Sequence, residues 1–286
     1  MLTRRYRQSG QDIGRKGFMM QSPKLKSAND DQALFDPLSA AMASRDGDVL
    51  SMVRTALAGN QARLAFQPIV TAGPQGRIAF HEGLIRVFDD AGRTIPAAQF
   101  MPVVEEMDLG REVDCVTLHL VLRTLRENPN ARLSVNLSAR SLADGKWRKI
   151  LYDGLNSAGA LGDRLIFEIS EKSAMLLPES VTRFMEEMQD FGVAFALDGF
   201  GAGFTSFSHL KDFYFDLVKV DKGFVRGIDK NPDNQVVAKA LMAVAHQFEM
   251  LVIADGVETG KEAAAFTQLG ADCLQGYFYG VPKFGF

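Results

Sequence analysis

Cysteine is nearly absent: Cys115 and Cys273 are the only two in 286 residues, both in apolar surroundings and without metal-ligand spacing. That excludes a disulfide scaffold and a zinc ribbon, and leaves packed, reduced thiols as the expectation. Histidine is scarce as well. His81, His119, His209 and His246 are scattered without ligand spacing, which points to structural or surface roles. No apolar run reaches the roughly 18 residues of a membrane span. The basic start lacks the apolar stretch of a secretory leader, so no transmembrane segment is expected and the cytoplasm is the expected compartment. An excess of one charge sign is missing too, since 32 Lys and Arg face 35 Asp and Glu for a formal net charge of −3. Such a chain has no global attraction for a DNA or RNA duplex. An anionic ligand would need local cations or a metal.

What is present is apolar content: 47% of the residues are hydrophobic, enough at this length for one large core with an extra terminal segment. Residues 1–45 are polar and without a sustained period, and Arg4, Arg5, Arg7, Arg15, Lys16, Lys24 and Lys26 make them basic. They read as a disordered tail, with a basic contact to a membrane or partner as its functional alternative, and Met19 or Met20 as a second place for translation to start. The globular domain is expected over 46–286. Its first helix puts Val49, Leu50, Met52, Val53 and Leu57 on one face, with Asp46 or Asp48 as the cap.

From Leu64 onward strands and helices alternate. The strand candidates are Leu64–Val70, Ile78–Val87, Leu133–Ser138, Leu165–Ser170, Val193–Asp198, Leu217–Lys222, Leu251–Asp255 and Cys273–Tyr277. Helical patterns fall around Pro96–Met107, Val113–Leu125, Trp147–Leu155, Pro178–Phe191, Phe207–Lys211, Asn234–Phe248 and Lys261–Leu269. Eight strands with intervening helices suit a (β/α)8 barrel, an α/β fold whose structural rival is a doubly wound open sheet.

The stretch VAFALDGFGAGFTSF, Val193 to Phe207, ends an apolar run in Asp198 and opens into Gly199, Gly201 and Gly203, glycines that permit positive φ and close approach of a ligand. Polar groups recur at corresponding strand ends: Glu82, Asn136, Glu168, Asp198, Lys219, Asp255 and Gln275. In a barrel these ends converge on one face. Glu82, Glu168 and Asp198 with the amide oxygen of Asn136 form a hard, oxygen-rich set that suits Mg2+ or Mn2+.

The segments QPI (Gln67 to Ile69), EGLIR (Glu82 to Arg86), NLS (Asn136 to Ser138), EISE (Glu168 to Glu171), DGFGAG (Asp198 to Gly203), VKVDK (Val218 to Lys222), ADGVET (Ala254 to Thr259) and LQGYFYG (Leu274 to Gly280) occur in the order found in the EAL family, which the chain resembles over about residues 48–284. The resemblance implies a modified TIM (β/α)8 barrel that hydrolyses the bacterial messenger cyclic di-GMP to linear pGpG with Mg2+ or Mn2+. It further implies that Glu82, Asn136, Glu168 and Asp198 hold metal and that Lys219 positions the attacking water and scissile phosphate. Arg86 would clamp a phosphate, Gln67, Leu84 and Gln275 would line the nucleotide site, Glu171 would steady the glycine loop, and Glu258 would act as a supporting carboxylate.

Gly83 in place of the family's alanine is a mild departure, the loop continuation is altered at Ala202 and from Phe204 to Phe207, and two further departures bear on turnover. Active members carry a second aspartate where this chain has Gly199, which removes a carboxylate from a two-metal site. Asp255 stands where the family has the glutamate proposed as general base; the arm is one methylene shorter, and a displacement of about 1 Å is enough to cost about a hundredfold in rate. The expectation is therefore a cyclic di-GMP phosphodiesterase with impaired turnover. The alternative is an inactive cyclic di-GMP receptor acting through a protein partner, reached through tail or barrel; a homodimer also stays open. A barrel serving only as an interaction scaffold is disfavoured by the retained Gln67, Arg86 and Gln275.

Overall fold

The computed structural model describes residues 37–157, 161–203 and 210–286. By contact the chain falls into two units, Met1–Met42 and Ala43–Phe286. Of the first, only the opening of helix α1 belongs to the described residues, and the remainder of the expected basic tail lies outside them. Helix α1 spans Pro37–Ala58, so it begins within the stretch expected to be tail, and Asp46 and Asp48 fall inside the helix rather than at its cap. The expected apolar face is the one that packs: Val53 and Ala56 are buried, and Val49, Leu50, Met52 and Leu57 lean on the same core.

Strands β1 (Ala62–Thr71) and β2 (Ile78–Phe88) follow as an antiparallel hairpin, turned at a segment containing Gly73, Pro74 and Gly76. A short β3 (Thr94–Pro96), not expected from the sequence, continues the β2 edge. Then come α2 (Ala97–Val104), α3 (Asp108–Glu127), β4 (Leu133–Asn136), α4 (Gly145–Ser157), β5 (Leu165–Ser170), α5 (Glu171–Leu176) and α6 (Pro178–Gln189). The chain continues through β6 (Ala194–Phe200), β7 (Leu217–Val220), α7 (Lys222–Val225), α8 (Pro232–Gln247), β8 (Leu251–Asp255), α9 (Gly260–Leu269) and β9 (Cys273–Gln275). Most of the helix expected at 207–211 lies outside the described residues.

All eight expected strands are present. Their order is β1-β9-β8-β7-β6-β5-β4-β2, and β1 pairs with β2 to close the ring. Closure excludes the open doubly wound sheet. The barrel is a modified one because β1 runs antiparallel to both its neighbours, while β2, β4, β5, β6, β7, β8 and β9 run parallel. A two-residue period then divides each strand between two environments. Ile69, Phe80, Ile166, Ala196, Leu217, Ile253 and Cys273 form one buried cluster, the floor of the barrel interior. Alternate residues such as Phe167, Ile169, Phe195, Leu197 and Val218 join a second and larger core under the helices.

That outer core fixes β5 and β6. Trp147 of α4 lies 5.6 Å from the Phe167 ring and 5.7 Å from Phe184 of α6, and Phe184 meets Phe195 edge-on at 5.8 Å. All four are at most 1% exposed, so each contributes about 3 to 5 kcal/mol by the cost of truncation to alanine. On the two strands they hold, Glu168 follows Phe167 by one residue and Asp198 follows Phe195 by three, which puts both on the interior face.

Candidate active site

Above the apolar floor, the inward positions become polar. Lys219 Nζ donates to Glu82 Oε2 at 3.0 Å and to Glu168 Oε2 at 2.8 Å, joining β2, β5 and β7 through the barrel interior. Asn136 Nδ2 donates to Glu82 Oε1 at 2.8 Å, and Gln275 Nε2 to Glu82 Oε2 at 2.6 Å. Glu82, Glu168, Lys219 and Gln275 are 6%, 1%, 3% and 1% exposed. Charges so deeply removed from water persist only when paired. The pairing is incomplete, for Glu168 Oε1 is buried without a hydrogen-bond partner.

Burial opposes every charge in this layer. For Glu82 the opposition is outweighed by the Lys219 ammonium and by hydrogen bonds from Gln275, Lys219 and Asn136, which hold its carboxyl below the usual range. Glu168 is as deeply buried and also feels the negative charge of Glu82, so its pKa is pushed up to about 8 despite Lys219. Burial works against the Lys219 charge too, but Glu168, Glu82, Asp198 and Asp255 hold the ammonium well above its ordinary value. Asp255 is raised by burial and by the neighbouring carboxylates, against the pull of Lys219. Four carboxyl groups thus share one ammonium. Such an excess of hard, negative oxygen ligands fits a divalent cation.

The Lys219 ammonium stands between Glu82 and Glu168, and among the described residues no three His, Cys, Asp or Glu side chains are gathered into a ready cage. The donor set nevertheless fits an ion: two carboxylates converge, one has an unpartnered oxygen, and Asn136 lies on the neighbouring strand paired with Glu168. One expectation needs correcting in detail. Asn136 turns its amide nitrogen, not its oxygen, toward Glu82, and a half-turn of the amide would exchange them.

Asp198 is the register partner of both Ser170 and Lys219. It is not at the strand tip, because β6 runs on to Phe200 and the register shifts between Asp198 and Phe200. Gly199 sits at that irregularity with φ of +75°, and a Cβ there would meet nothing within 4 Å. Asp255 ends β8 beside Gln275. Leu84 lines a cavity of about 350 Å3 that reaches Asn136, Glu168 and Ser170. Arg86 is half-buried, its Nη1 donating to the Ile85 carbonyl at 2.9 Å, and burial lowers its pKa.

Glu171 is buried at the first position of α5, while the loop it was expected to steady continues into residues 204–209, outside the described set. Glu258 is not brought into the buried layer: it is exposed and pairs with Arg226 Nη2 at 2.9 Å. The carboxylate that orders this loop is Glu262, which accepts from the backbone N–H of Gly227, Glu258 and Thr259 at 2.8, 2.8 and 2.9 Å. The sequence reading passed over it, although Thr259 and Glu262 have capping-box spacing.

Asp114 was missed as well. It lines the same cavity from α3, accepts from Ser141 Oγ at 2.6 Å, and is pushed up to about 7 by burial, against those hydrogen bonds. Its signal was an acid on an apolar stripe, since Leu118, Val121 and Leu125 follow it at helical spacing and all are buried. Of the histidines, His246 pairs with Asp272 at 2.9 Å and His81 meets Phe286 edge-on, away from the polar layer. His209 lies outside the described residues.

The model of one family, the EAL domain, matches residues 50–282. The chain belongs to the EAL domain family. Among curated proteins it is 31% identical over 240 residues to cyclic di-GMP phosphodiesterase PdeF and 32% identical over 234 residues to cyclic di-GMP phosphodiesterase PdeR, both of Escherichia coli K12. These matches cover 82% and 80% of this chain but 32% and 35% of the relatives, so the chain spans about a third of their length. Two solved structures superpose with TM-scores of 0.75 at 28% identity: the MucR phosphodiesterase in complex with cyclic di-GMP, and the EAL domain of FimX from Pseudomonas aeruginosa bound to cyclic di-GMP. Each covers 82% of this EAL chain, and this chain covers 97% and 96% of them. No helix among its described residues is long and apolar enough to cross a membrane.

Proposed function

We propose that this EAL domain binds cyclic di-GMP over the polar end of its barrel and hydrolyses it slowly to pGpG with Mg2+ or Mn2+. The observation that carries the reading is the buried Glu82–Lys219–Glu168 bridge, with its unpartnered Glu168 oxygen, opening onto the cavity lined by Leu84 and Asp114. The names of the relatives support the substrate.

Glu82, Asn136, Glu168 and Asp198 would hold the ion. When bound, it supplies a Lewis acid that lowers the pKa of water and offsets charge developing on the phosphoryl oxygens. Lys219, kept protonated by its carboxylate neighbours, donates to the scissile phosphate as negative charge builds. Asp255, made more basic by burial, accepts the proton of the attacking water. One P–O bond of the cyclic dinucleotide breaks as the water oxygen bonds to phosphorus, the leaving ribose oxygen takes a proton from solvent, and the product is linear. Arg86, whose guanidinium has free donors beyond its one backbone contact, clamps a phosphate. The Asp114 carboxyl, once ionised, suits the adjacent N–H donors on the Watson–Crick edge of guanine. The cytoplasm is the compartment this substrate implies.

Gly199 favours a second reading, a receptor that binds without cleaving, because it offers no carboxylate where active members have one. The experiment that tests the first reading uses Glu82→Gln, which keeps the side-chain volume. Calorimetry should show cyclic di-GMP binding to parent and variant, while pGpG release with Mn2+ is lost in the variant alone. Equal release by both would remove Glu82 from the chemistry.

A further inference from the structure

Two glutamines form a hydrogen-bonded chain that begins at Glu82 and ends on the C-terminal loop. Gln275 closes β9 and is 1% exposed; its Nε2 reaches Glu82 Oε2 at 2.6 Å and Gln67 Oε1 at 3.3 Å. Gln67, 8% exposed and the register partner of Glu82 on β1, donates in turn from Nε2 to the Gly280 carbonyl at 3.1 Å. The polarity of this chain is fixed at both ends. A peptide carbonyl can only accept, so Gln67 must aim its nitrogen at Gly280 and its oxygen at Gln275. An ionised carboxylate can only accept, so Gln275 must give one N–H to Glu82 and the other to Gln67. Both amide orientations follow from these end groups. Gln275 Oε1 is consequently left without a partner, as it is in the structure. The far end of the chain is itself anchored, for the Gly280 N–H donates to the Gly276 carbonyl, and a Cβ added at Gly280 would lie 3.1 Å from Pro68 Cγ.

We propose that Gln67 and Gln275 are positioning residues for Glu82, aiming its carboxylate at the metal position through a two-amide relay held by the Gly280 carbonyl, rather than contacts to the nucleotide. This rests on the proposed metal-dependent function and adds residues that set its geometry. Groups that orient a metal-binding side chain typically change metal affinity by about 10- to 100-fold when removed. Methionine at either position keeps most of the volume and removes the hydrogen bonds.

The test measures Mn2+ binding by electron paramagnetic resonance without nucleotide, and cyclic di-GMP binding by calorimetry in EDTA, for the parent, Gln275→Met, Gln67→Met and the double variant. Gln275→Met should weaken Mn2+ binding about tenfold or more. Gln67→Met should weaken it in the same direction although it never touches Glu82. The double variant should match Gln275→Met alone, as links of one chain are not additive. Nucleotide affinity in EDTA should stay within about twofold. Unchanged Mn2+ affinity in the variants, or a tenfold loss of nucleotide affinity in EDTA, overturns the relay. If Gln275→Met does not fold, as judged by circular dichroism, the more remote Gln67→Met decides alone. A parent that binds neither Mn2+ nor cyclic di-GMP instead overturns the function on which the relay rests.

Discussion

Asp114→Asn separates what the cavity acid costs in stability from what it contributes to binding. The side chain is 9% exposed, and burial raises its pKa from 3.8 to about 7. The folded state therefore holds this proton more tightly than the unfolded chain. Its contribution to stability is fully present below about pH 4, falls as pH rises through the interval to about 7, and is flat above. A shift of that size corresponds to about 4 kcal/mol, at about 1.4 kcal/mol per pH unit, and is an upper value for a group with relaxation around it. Asparagine has the same volume and its oxygen can still accept from Ser141 Oγ, so the variant loses the penalty and little packing. Urea unfolding followed by far-UV circular dichroism, in EDTA, should show the variant gaining on the parent between pH 4 and pH 7 and leading by about 2 to 4 kcal/mol at pH 8. Other groups titrate alike in both proteins and cancel. A difference that does not change with pH would refute the assignment of Asp114 as a buried, proton-holding acid. The same variant should bind cyclic di-GMP more weakly, since a primary amide presents a donor to the N–H edge of guanine.

Arg86→Ala should weaken cyclic di-GMP binding by about 1.5 to 3 kcal/mol, the worth of a charge-assisted hydrogen bond, measured calorimetrically; unchanged affinity would remove Arg86 from the phosphate site. Gly199→Asp should raise pGpG production with saturating Mn2+, because its Cβ enters open space, and Asp255→Glu added to it should raise production further. The φ of +75° at Gly199 will cost about 1 to 2 kcal/mol, so the midpoint of thermal unfolding should fall while activity rises; a neutral or harmful effect on turnover would show that the missing carboxylate is not what limits it. Gly276→Ala should unfold the end of the barrel: φ is +156° and an added Cβ would lie 2.0 Å from the Val257 carbonyl oxygen. A soluble variant melting with the parent would contradict that packing.

Much of this architecture is legible in the order of residues, and the exceptions have physical reasons. Most of the strands stand out as short, largely apolar runs bounded by turn or cap signals, as in Leu165–Ser170. Strand direction carries no such signal, so the antiparallel β1 is visible only through its pairing with β2 and β9. β6 looked finished at Asp198 because glycine reads as a break; in the structure Gly199 takes a positive φ inside the strand and the sheet continues past it. Several interior residues were recognisable as polar groups at the ends of apolar runs, namely Glu82, Glu168, Lys219 and Gln275. Their roles are decided by who touches whom. Gln275, expected to line the nucleotide site, reaches Glu82, whereas Glu258, in a motif that suggested the site, pairs with Arg226 outside the layer. Asp114 belongs to the opposite class, hidden because a lone acid in a helix usually faces water.

The most direct test of the account is the fate of cyclic di-GMP incubated with the parent protein and Mn2+, resolved by chromatography over time, beside a binding isotherm in EDTA. The account predicts saturable binding in EDTA, slow release of pGpG only when Mn2+ is present, and complete arrest on chelation. Neither binding nor product at high micromolar protein would contradict it.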